Sequence, residues 1–195
     1  MKIKKIILAS QSPRRSQLLQ WAEIPFEVII ANTDESYPGH LKPEEIAMHI
    51  AYNKAEAVKK NIDGTITNGE DCTILAADTI VVLNNTIIGK PSGRDEAIQI
   101  LSKLSGEIHS VITGVCILSQ GKEITFADET KVEFYNLSRL QIEYYVDNYK
   151  PYDKAGAYAI QEWIGVTGIR SINGDFYNVM GLPVSRVVKE LEALG

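Results

Sequence analysis

The first residues that could take part in chemistry are Ser10, Ser12, Arg14 and Arg15, which follow a short apolar run. Ser12 precedes a proline, and a Ser-Pro pair is a strong start signal for a helix. The two arginines then fall in the first helical turn, where the helix dipole already places partial positive charge. Free N–H groups, hydroxyls and guanidinium groups together favour an anion such as phosphate. The alternative is that both arginines are solvated or paired with nearby carboxylates.

Asp78 is the second informative residue, because it interrupts the apolar sequence LAADTIVV of a predicted strand. Burying a carboxylate is unfavourable unless the carboxylate is paired or bound to a metal. One interpretation is structural, with Asp78 capping a loop or pairing with one buried cation. The other is functional, with Asp78 polarising a water molecule or holding a divalent cation beside a phosphate.

Four further residues have types and surroundings suited to a site. Glu35 lies in a loop after the second predicted strand, and such loops often carry the sites of α/β proteins. Lys54 lies on a helix with an apolar face, and Lys90 lies between Gly89 and Pro91. Gln161 follows a run of small residues, and its amide can donate to and accept from a base edge. Taken individually, Glu35 is explained as a solvated carboxylate, Lys54 as a lysine that extends its ammonium group into solvent, and Gln161 as a surface residue of a glycine-rich loop. Together, cations and carboxylates suit a polyphosphate and a divalent metal.

Composition narrows the class of protein. The chain has 195 residues, 45% hydrophobic and 23% charged, which is ordinary for a globular protein. The net charge of −5 argues against a general nucleic-acid binder. The apolar run after Lys5 is too short for a signal peptide, and no stretch is long enough to span a membrane. Two cysteines without a metal-binding spacing fit a reducing compartment, so we expect a cytoplasmic protein.

The predicted elements alternate between strands and helices and include two hairpins, which indicates an α/β fold with a mixed sheet. The region from Pro151 to Gly174 is predicted to be irregular, and Asp175–Val179 to be extended. Asn61–Asp71 is predicted to be a polar turn. The predicted strands are Ile6–Leu8, Phe26–Ile30, Thr73–Leu83, Ile87–Ile88, Ser105–Leu118 and Glu123–Phe134; the predicted helices are Pro13–Ala22, Pro43–Lys60, Gly93–Leu104, Leu140–Asn148 (capped by Ser138) and Pro183–Leu194.

Several sequence blocks, in order and over nearly the whole chain, resemble the Maf family of nucleoside triphosphate pyrophosphatases, also described as septum-formation inhibitors. The blocks are LASQSPRR, the Glu35 loop, NKA around Lys54, AADTIVVL, GKP, ITGV, AGAYAIQ, and Gly174-Asp175 with NVMGLP. The resemblance implies a single domain over residues 1–195. Its fold would be a curved mixed β-sheet flanked by helices, with two lobes and a central cleft, as in inosine triphosphate pyrophosphatases.

The resemblance also implies a reaction and roles for residues. With Mg²⁺ or Mn²⁺, water attacks the α-phosphorus of a nucleoside triphosphate and releases the monophosphate and pyrophosphate. Asp78 matches the residue taken to accept the proton, and Glu35 matches an acidic position that helps with metal or water. The positions matched to phosphate binding are Ser10, Ser12, Arg14, Arg15, Lys54 and Lys90.

Substrate preference within the family follows the positions of Arg14, Thr79 and Gln161, and the combination here resembles the branch that acts on dTTP and UTP and their modified forms. The alternatives are a preference for 7-methyl-GTP, or a nucleotide-sensing regulator of septum formation. Many members have glycine after the glutamine, whereas this chain has Glu162-Trp163. A bulky tryptophan beside the base site would change the shape of the base pocket. The resemblance also allows a homodimer and implies neither a nucleic-acid nor a membrane partner.

Overall fold

A computed structural model describes residues 3–62 and 72–194. Over these ranges the chain forms a seven-stranded sheet and helices that flank it, so the predicted α/β class is confirmed. The strands are β1 Ile6–Leu8, β2 Phe26–Val28, β3 Thr73–Leu83, β4 Thr86–Ile88, β5 Ile108–Ser119, β6 Lys122–Phe134 and β7 Ile169–Asn173. The helices are α1 Pro13–Trp21, α2 Pro43–Ile62, α3 Arg94–Leu104, α4 Arg139–Tyr149, α5 Trp163–Gly168, α6 Phe176–Met180 and α7 Val184–Ala193, with a 3₁₀ turn at Ala155–Ala157.

The sheet is mixed, as the sequence predicts. Its strand order is β2-β1-β3-β5-β6-β7, and β4 pairs with β3 outside this path. β1 pairs in parallel with both β2 and β3, whereas β3 with β4 and β6 with β7 are antiparallel pairs. The parallel pairing of β1 with β2 across α1 confirms the β-α-β start, because parallel neighbours require a crossover connection.

The chain folds as two compact units. The first unit comprises residues up to 78, residues 113–128 and residues from 181 onward; the second comprises 79–112 and 129–180. Three of the dividing points fall inside β3, β5 and β6, and the fourth falls at the end of α6. The single domain and the central cleft that the resemblance implies stay predictions.

The core of the first unit lies between α2 and the strands β1, β3 and β5. The helix contributes Ala51, Ala55, Val58 and Ile62, and these pack against side chains that include Ile7, Ile74 and Cys116. The apolar spacing of α2 therefore selects the face that it buries. Gly114 permits this close packing, since a Cβ atom there would lie 2.2 Å from the carbonyl carbon of Ala47.

Both predicted hairpin turns are present. Asn84 and Asn85 have φ values of 49° and 62°, and Gln120 and Gly121 have values of 49° and 75°. Positive φ at both central residues is the requirement of the tight hairpin turn whose twist matches the strands. The predicted cap of α4 is also confirmed, because Ser138 Oγ accepts a hydrogen bond from the N–H of Gln141 at 3.3 Å.

The structure corrects the prediction for residues 151–179. Pro151–Gly174 contains α5 and β7 and is not irregular throughout, because β7 gains its order from pairing with β6, for example Val132 with Ile172. Asp175–Val179 is mainly helical: Asp175 Oδ1 accepts a hydrogen bond from the N–H of Tyr177 at 2.8 Å and begins α6.

The polar turn predicted at Asn61–Asp71 overlaps the end of α2, and residues 63–71 lie outside the described residues. Among the residues that are described, no helix has both the length and the apolar character needed to cross a bilayer.

Candidate active site

Arg15 is the centre of the polar group that follows β1. It is only 8% exposed, its Nε donates to the carbonyl oxygen of Gly181 at 2.7 Å, and its Nη1 donates to Ser10 Oγ at 2.9 Å. The same hydroxyl oxygen accepts a hydrogen bond from the N–H of Ser12 at 3.3 Å. Arg15 therefore ties the loop between β1 and α1 to a chain segment 166 residues away.

Ser12 and Arg14 are less buried than Ser10 and Arg15. Ser12 occupies the N-cap position of α1, so the helix begins where the Ser-Pro pair predicts, but the Ser12 side chain makes no capping hydrogen bond. Instead, Ser10 Oγ accepts from the N–H of Ser12. Arg14 is half-buried, and the first turn of α1 carries no acidic residue. The partial positive charge of the helix start is thus not offset by a carboxylate of that turn.

Lys54 joins the two candidate carboxylates. Its Nζ lies 2.7 Å from Asp78 Oδ1 and 2.7 Å from Glu35 Oε1. The side chains of Lys54 and Asp78 are 18% and 15% exposed, whereas that of Glu35 is 52% exposed. Lys54 therefore does not simply extend into solvent. Lys54 is thus the cationic partner that the structural interpretation of Asp78 requires, although it is partly and not fully buried.

The charges of this group act on one another. The pKa of Arg15 is lowered to about 10, mainly by burial and also by the neighbouring Arg14, while the negative charges of Asp78 and Glu35 act in the opposite direction. Arg15 is thus protonated at neutral pH. The residues Arg14, Arg15 and Lys54 outnumber the two carboxylates, and this excess of positive charge suits an anionic ligand.

Asp78 and Glu35 are the residues here that can hold a divalent cation. Their oxygens contact one nitrogen, so they are close enough to bind a common ion. Within residues 3–62 and 72–194 there is no cluster of three or more His, Cys, Asp and Glu side chains that could hold a metal. Two carboxylates alone fit Mg²⁺, which usually binds through one or two carboxylates, substrate phosphates and water. The donor set suits a metal that arrives with a phosphate.

The remaining predicted residues lie in the second unit. Thr79 follows Asp78 along β3 and is half-buried, and Lys90 and Gln161 are exposed. The carbonyl of Gly89, next to Lys90, accepts a hydrogen bond from the N–H of Gly156 at 3.2 Å. This bond links the GKP block to the AGAYAIQ block. The roles of these three residues in binding stay predictions.

Sequence reasoning gives no role to Gly181, although its carbonyl fixes Arg15. Gly181 has a φ of 116°, a conformation that favours glycine, and the signal available in the sequence is its place in the NVMGLP block. A second group missed from sequence consists of Tyr145, Lys154 and Glu162, in which Glu162 contacts the other two and follows Gln161 in the chain. The spacing of these three residues carries no motif that could have indicated their contact.

An α/β protein with a mixed sheet and a cationic group around two carboxylates has the features of a phosphate-handling protein. The family model described as Maf-like protein matches residues 5–194, so this chain belongs to the Maf family.

The chain is similar to three proteins named "dTTP/UTP pyrophosphatase". The protein from Parabacteroides distasonis is 49% identical over 193 residues, which cover 98% of this chain and 97% of that protein. The Cytophaga hutchinsonii protein is 50% identical over 97% of this chain and 84% of its own length. The Bacillus cereus G9842 protein is 45% identical over 97% of this chain and 95% of its own length.

Proposed function

We propose that this protein is a nucleoside triphosphate pyrophosphatase that hydrolyses dTTP and UTP to the monophosphate and pyrophosphate. The observation that carries the proposal is the Lys54 ammonium group between Asp78 and Glu35, at 2.7 Å from each. Membership of the Maf family and the names of the three relatives support the substrate class.

In the proposed reaction, a water oxygen forms a bond to the α-phosphorus, and the bond from that phosphorus to the bridging oxygen of the leaving pyrophosphate breaks. Asp78 accepts the proton of the attacking water. Lys54 holds Asp78 on β3 and neutralises part of the charge that develops on the phosphate oxygens. Such chemistry depends on positioning and charge neutralisation and needs no nucleophilic side chain.

We propose that Glu35 and Asp78 hold a Mg²⁺ or Mn²⁺ ion together with the substrate phosphates. The ion supplies charge neutralisation at the phosphate and lowers the pKa of a bound water. Glu35 is suited to a ligand that adjusts on binding, because it lies in a loop and its side chain is half-exposed. Loss of hydrolysis with EDTA, and its recovery with either ion, is the test of this requirement.

The two arginines differ in their proposed roles. Arg15 uses Nε and Nη1 for Gly181 and Ser10, so we propose that it mainly holds the loop in shape and adds positive charge. Arg14 is the more accessible guanidinium group and is the better candidate for direct phosphate contact, with Ser10 and Ser12. Phosphate binding by Lys90, and base selection by Thr79 and Gln161, rest on the family resemblance.

The test is pyrophosphate release from a panel of dTTP, UTP, CTP, GTP, 7-methyl-GTP and ITP with Mg²⁺ or Mn²⁺. Asp78→Asn preserves the shape of the side chain but removes its capacity to accept the proton, so turnover should be nearly abolished while nucleotide binding stays measurable. Asp95→Asn is the matched control, because the Asp95 side chain is 92% exposed.

Selective release from dTTP and UTP that is lost in Asp78→Asn supports the proposal. A preference for 7-methyl-GTP supports the pyrophosphatase activity but refutes dTTP and UTP as the substrates. Tight nucleotide binding without release from any substrate favours the nucleotide-sensing regulator. A cytoplasmic location and a homodimer stay predictions, and light scattering on the purified protein tests the second.

A further inference from the structure

The backbone around Gln161 is held by a hydroxyl group outside the residues assigned to the reaction. Tyr145, on α4, is fully buried. Its Oη accepts a hydrogen bond from the N–H of Ala159 at 3.2 Å and donates one to Glu162 Oε2. Ala159 is two residues before Gln161, and Glu162 is the residue after it. The Tyr145 hydroxyl group therefore forms hydrogen bonds to the chain on both sides of Gln161, to the backbone of Ala159 and to the side chain of Glu162.

Charge and packing add to this attachment. Lys154 is almost buried, and its Nζ lies 2.8 Å from Asp153 Oδ1 and 3.6 Å from Glu162 Oε1, so it partly neutralises the carboxylate that accepts from Tyr145. The N–H of Glu162 donates to the carbonyl of Ala159 at 3.1 Å. A Cβ atom at Gly165 would lie 1.8 Å from the carbonyl oxygen of Ile160, so the start of α5 packs directly on this turn.

Gln161 is the exposed residue at the end of this fixed segment. Residues 156–160 are all buried, and Gln161 is exposed. Thymine and uracil present an acceptor at O4 and a donor at N3, whereas cytosine presents the opposite pair. A glutamine amide satisfies either pattern if it is free to turn and shift. Discrimination therefore requires that the glutamine be held, since specificity is a difference between two affinities.

We propose that Tyr145 and Glu162 are positioning residues that hold Gln161 for selective binding of thymine and uracil over cytosine. This inference rests on the proposed function in that it takes Gln161 to contact the base. It assigns a role to Glu162, at the position where many family members have glycine.

The test measures binding and not turnover. Dissociation constants are measured for the α,β-methylene analogues of dTTP and dCTP with the wild-type chain and with three variants, Tyr145→Phe, Glu162→Ala and Glu162→Gln. Tyr149→Phe is the matched control, because it removes a hydroxyl from the same helix and its ring stacks on that of Tyr145 at 4.9 Å. Thermal melting confirms that each variant is folded.

We expect the wild-type chain to prefer the thymine analogue, and Tyr145→Phe and Glu162→Ala to reduce the ratio of the two affinities at least about threefold. Glu162→Gln should recover much of the ratio, because its amide oxygen still accepts from Tyr145. Tyr149→Phe should leave the ratio unchanged. If Tyr145→Phe does not fold, the affinity ratios of Glu162→Ala and Glu162→Gln test the proposal, which requires a lower ratio in the alanine variant.

The inference is overturned if Tyr145→Phe and Glu162→Ala weaken both analogues equally, because this result indicates a structural role only. It is also overturned if the wild-type chain binds both analogues equally or binds neither. Absence of hydrolysis, together with a thymine preference that Tyr145→Phe and Glu162→Ala reduce, refutes the proposed reaction and supports the positioning role, so the two failures are distinguishable.

Discussion

Lys54→Met tests the centre of the candidate active site, because methionine keeps most of the aliphatic stem and removes the ammonium group. The contact with Asp78 is made between two side chains that are less than one-fifth exposed, and a charge-assisted hydrogen bond of this kind contributes about 1.5–3 kcal/mol. The contact with Glu35, which is half-exposed, contributes roughly 0–1 kcal/mol. We expect the free energy of unfolding to fall by about 1.5–4 kcal/mol, the sum of the two contributions.

The effect on catalysis should exceed the effect on stability. Lys54 both orients the proposed proton acceptor and faces the charge that develops on phosphate, and loss of one such group commonly lowers the rate by about 10²–10³-fold. The assay is kcat/KM for dTTP, measured with urea unfolding of the same preparation. Lys59→Met is the matched control: Lys59 lies on the same helix, is 48% exposed and contacts Glu56 at 3.4 Å. It should change neither quantity appreciably.

If Lys54→Met loses the expected stability and keeps kcat/KM within about threefold of the wild-type value, the interaction with Asp78 and Glu35 is structural. The group around Lys54 would then not be the active site. If Lys59→Met has the same kinetic effect as Lys54→Met, the loss reflects the charge of α2 as a whole and not the bridge between the carboxylates.

Three further predictions concern pH, packing and metal. Burial lowers the pKa of His109 to about 4, so between pH 7.5 and 5.0 the unfolded chain takes up a proton that the folded chain does not. Urea unfolding should therefore show that the free energy of unfolding falls by about 2 kcal/mol over this range, and His109→Gln should remove this fall. An unchanged pH dependence in that variant contradicts the assignment. Gly114→Ala forces a methyl group into the backbone of α2 and should lower the free energy of unfolding by about 1–3 kcal/mol in urea titrations, whereas Gly39→Ala, with no atom within 4 Å of the new Cβ, should not. Glu35→Gln should raise the Mg²⁺ concentration for half-maximal hydrolysis at least about tenfold with a smaller effect on kcat, and a metal dependence like that of the wild-type chain would exclude Glu35 as a ligand.

Elements with a strong local signal could be predicted from the sequence. The run from Ile6 to Leu8 before Ser12-Pro13 predicts a strand followed by a helix, and the apolar spacing of α2 predicts its buried face. The Asn84-Asn85 pair predicts a tight turn. In contrast, β7 and α6 have weak local signals. β7 is ordered by its pairing with a distant strand, and α6 begins at a carboxylate that caps it.

The residue types of the site could be predicted, but their contacts could not. Arg14 and Arg15 are identical neighbours, and successive residues of a helix point about 100° apart, so the packing of α1 alone decides which one is buried. The carbonyl that receives Arg15 belongs to Gly181, 166 residues later. Similarly, Lys54 and Asp78 are 24 residues apart on different elements, and only the packing of α2 on β3 brings them together.

The two carboxylates that contact Lys54 are not equivalent, and the difference supports different proposed roles. Asp78 lies within a long strand, its side chain is 15% exposed, and its position is set by the sheet. Glu35 lies in a loop, and its side chain is 52% exposed. A group that accepts a proton must be held at a fixed distance from the reacting water, because small displacements greatly reduce the rate. A ligand that shares an ion with substrate and water has to adjust as the substrate binds. The rigid residue, Asp78, therefore suits proton transfer as well as its share in the metal, whereas the accessible one, Glu35, suits metal binding alone. Lys54 holds both carboxylates close together before the substrate arrives.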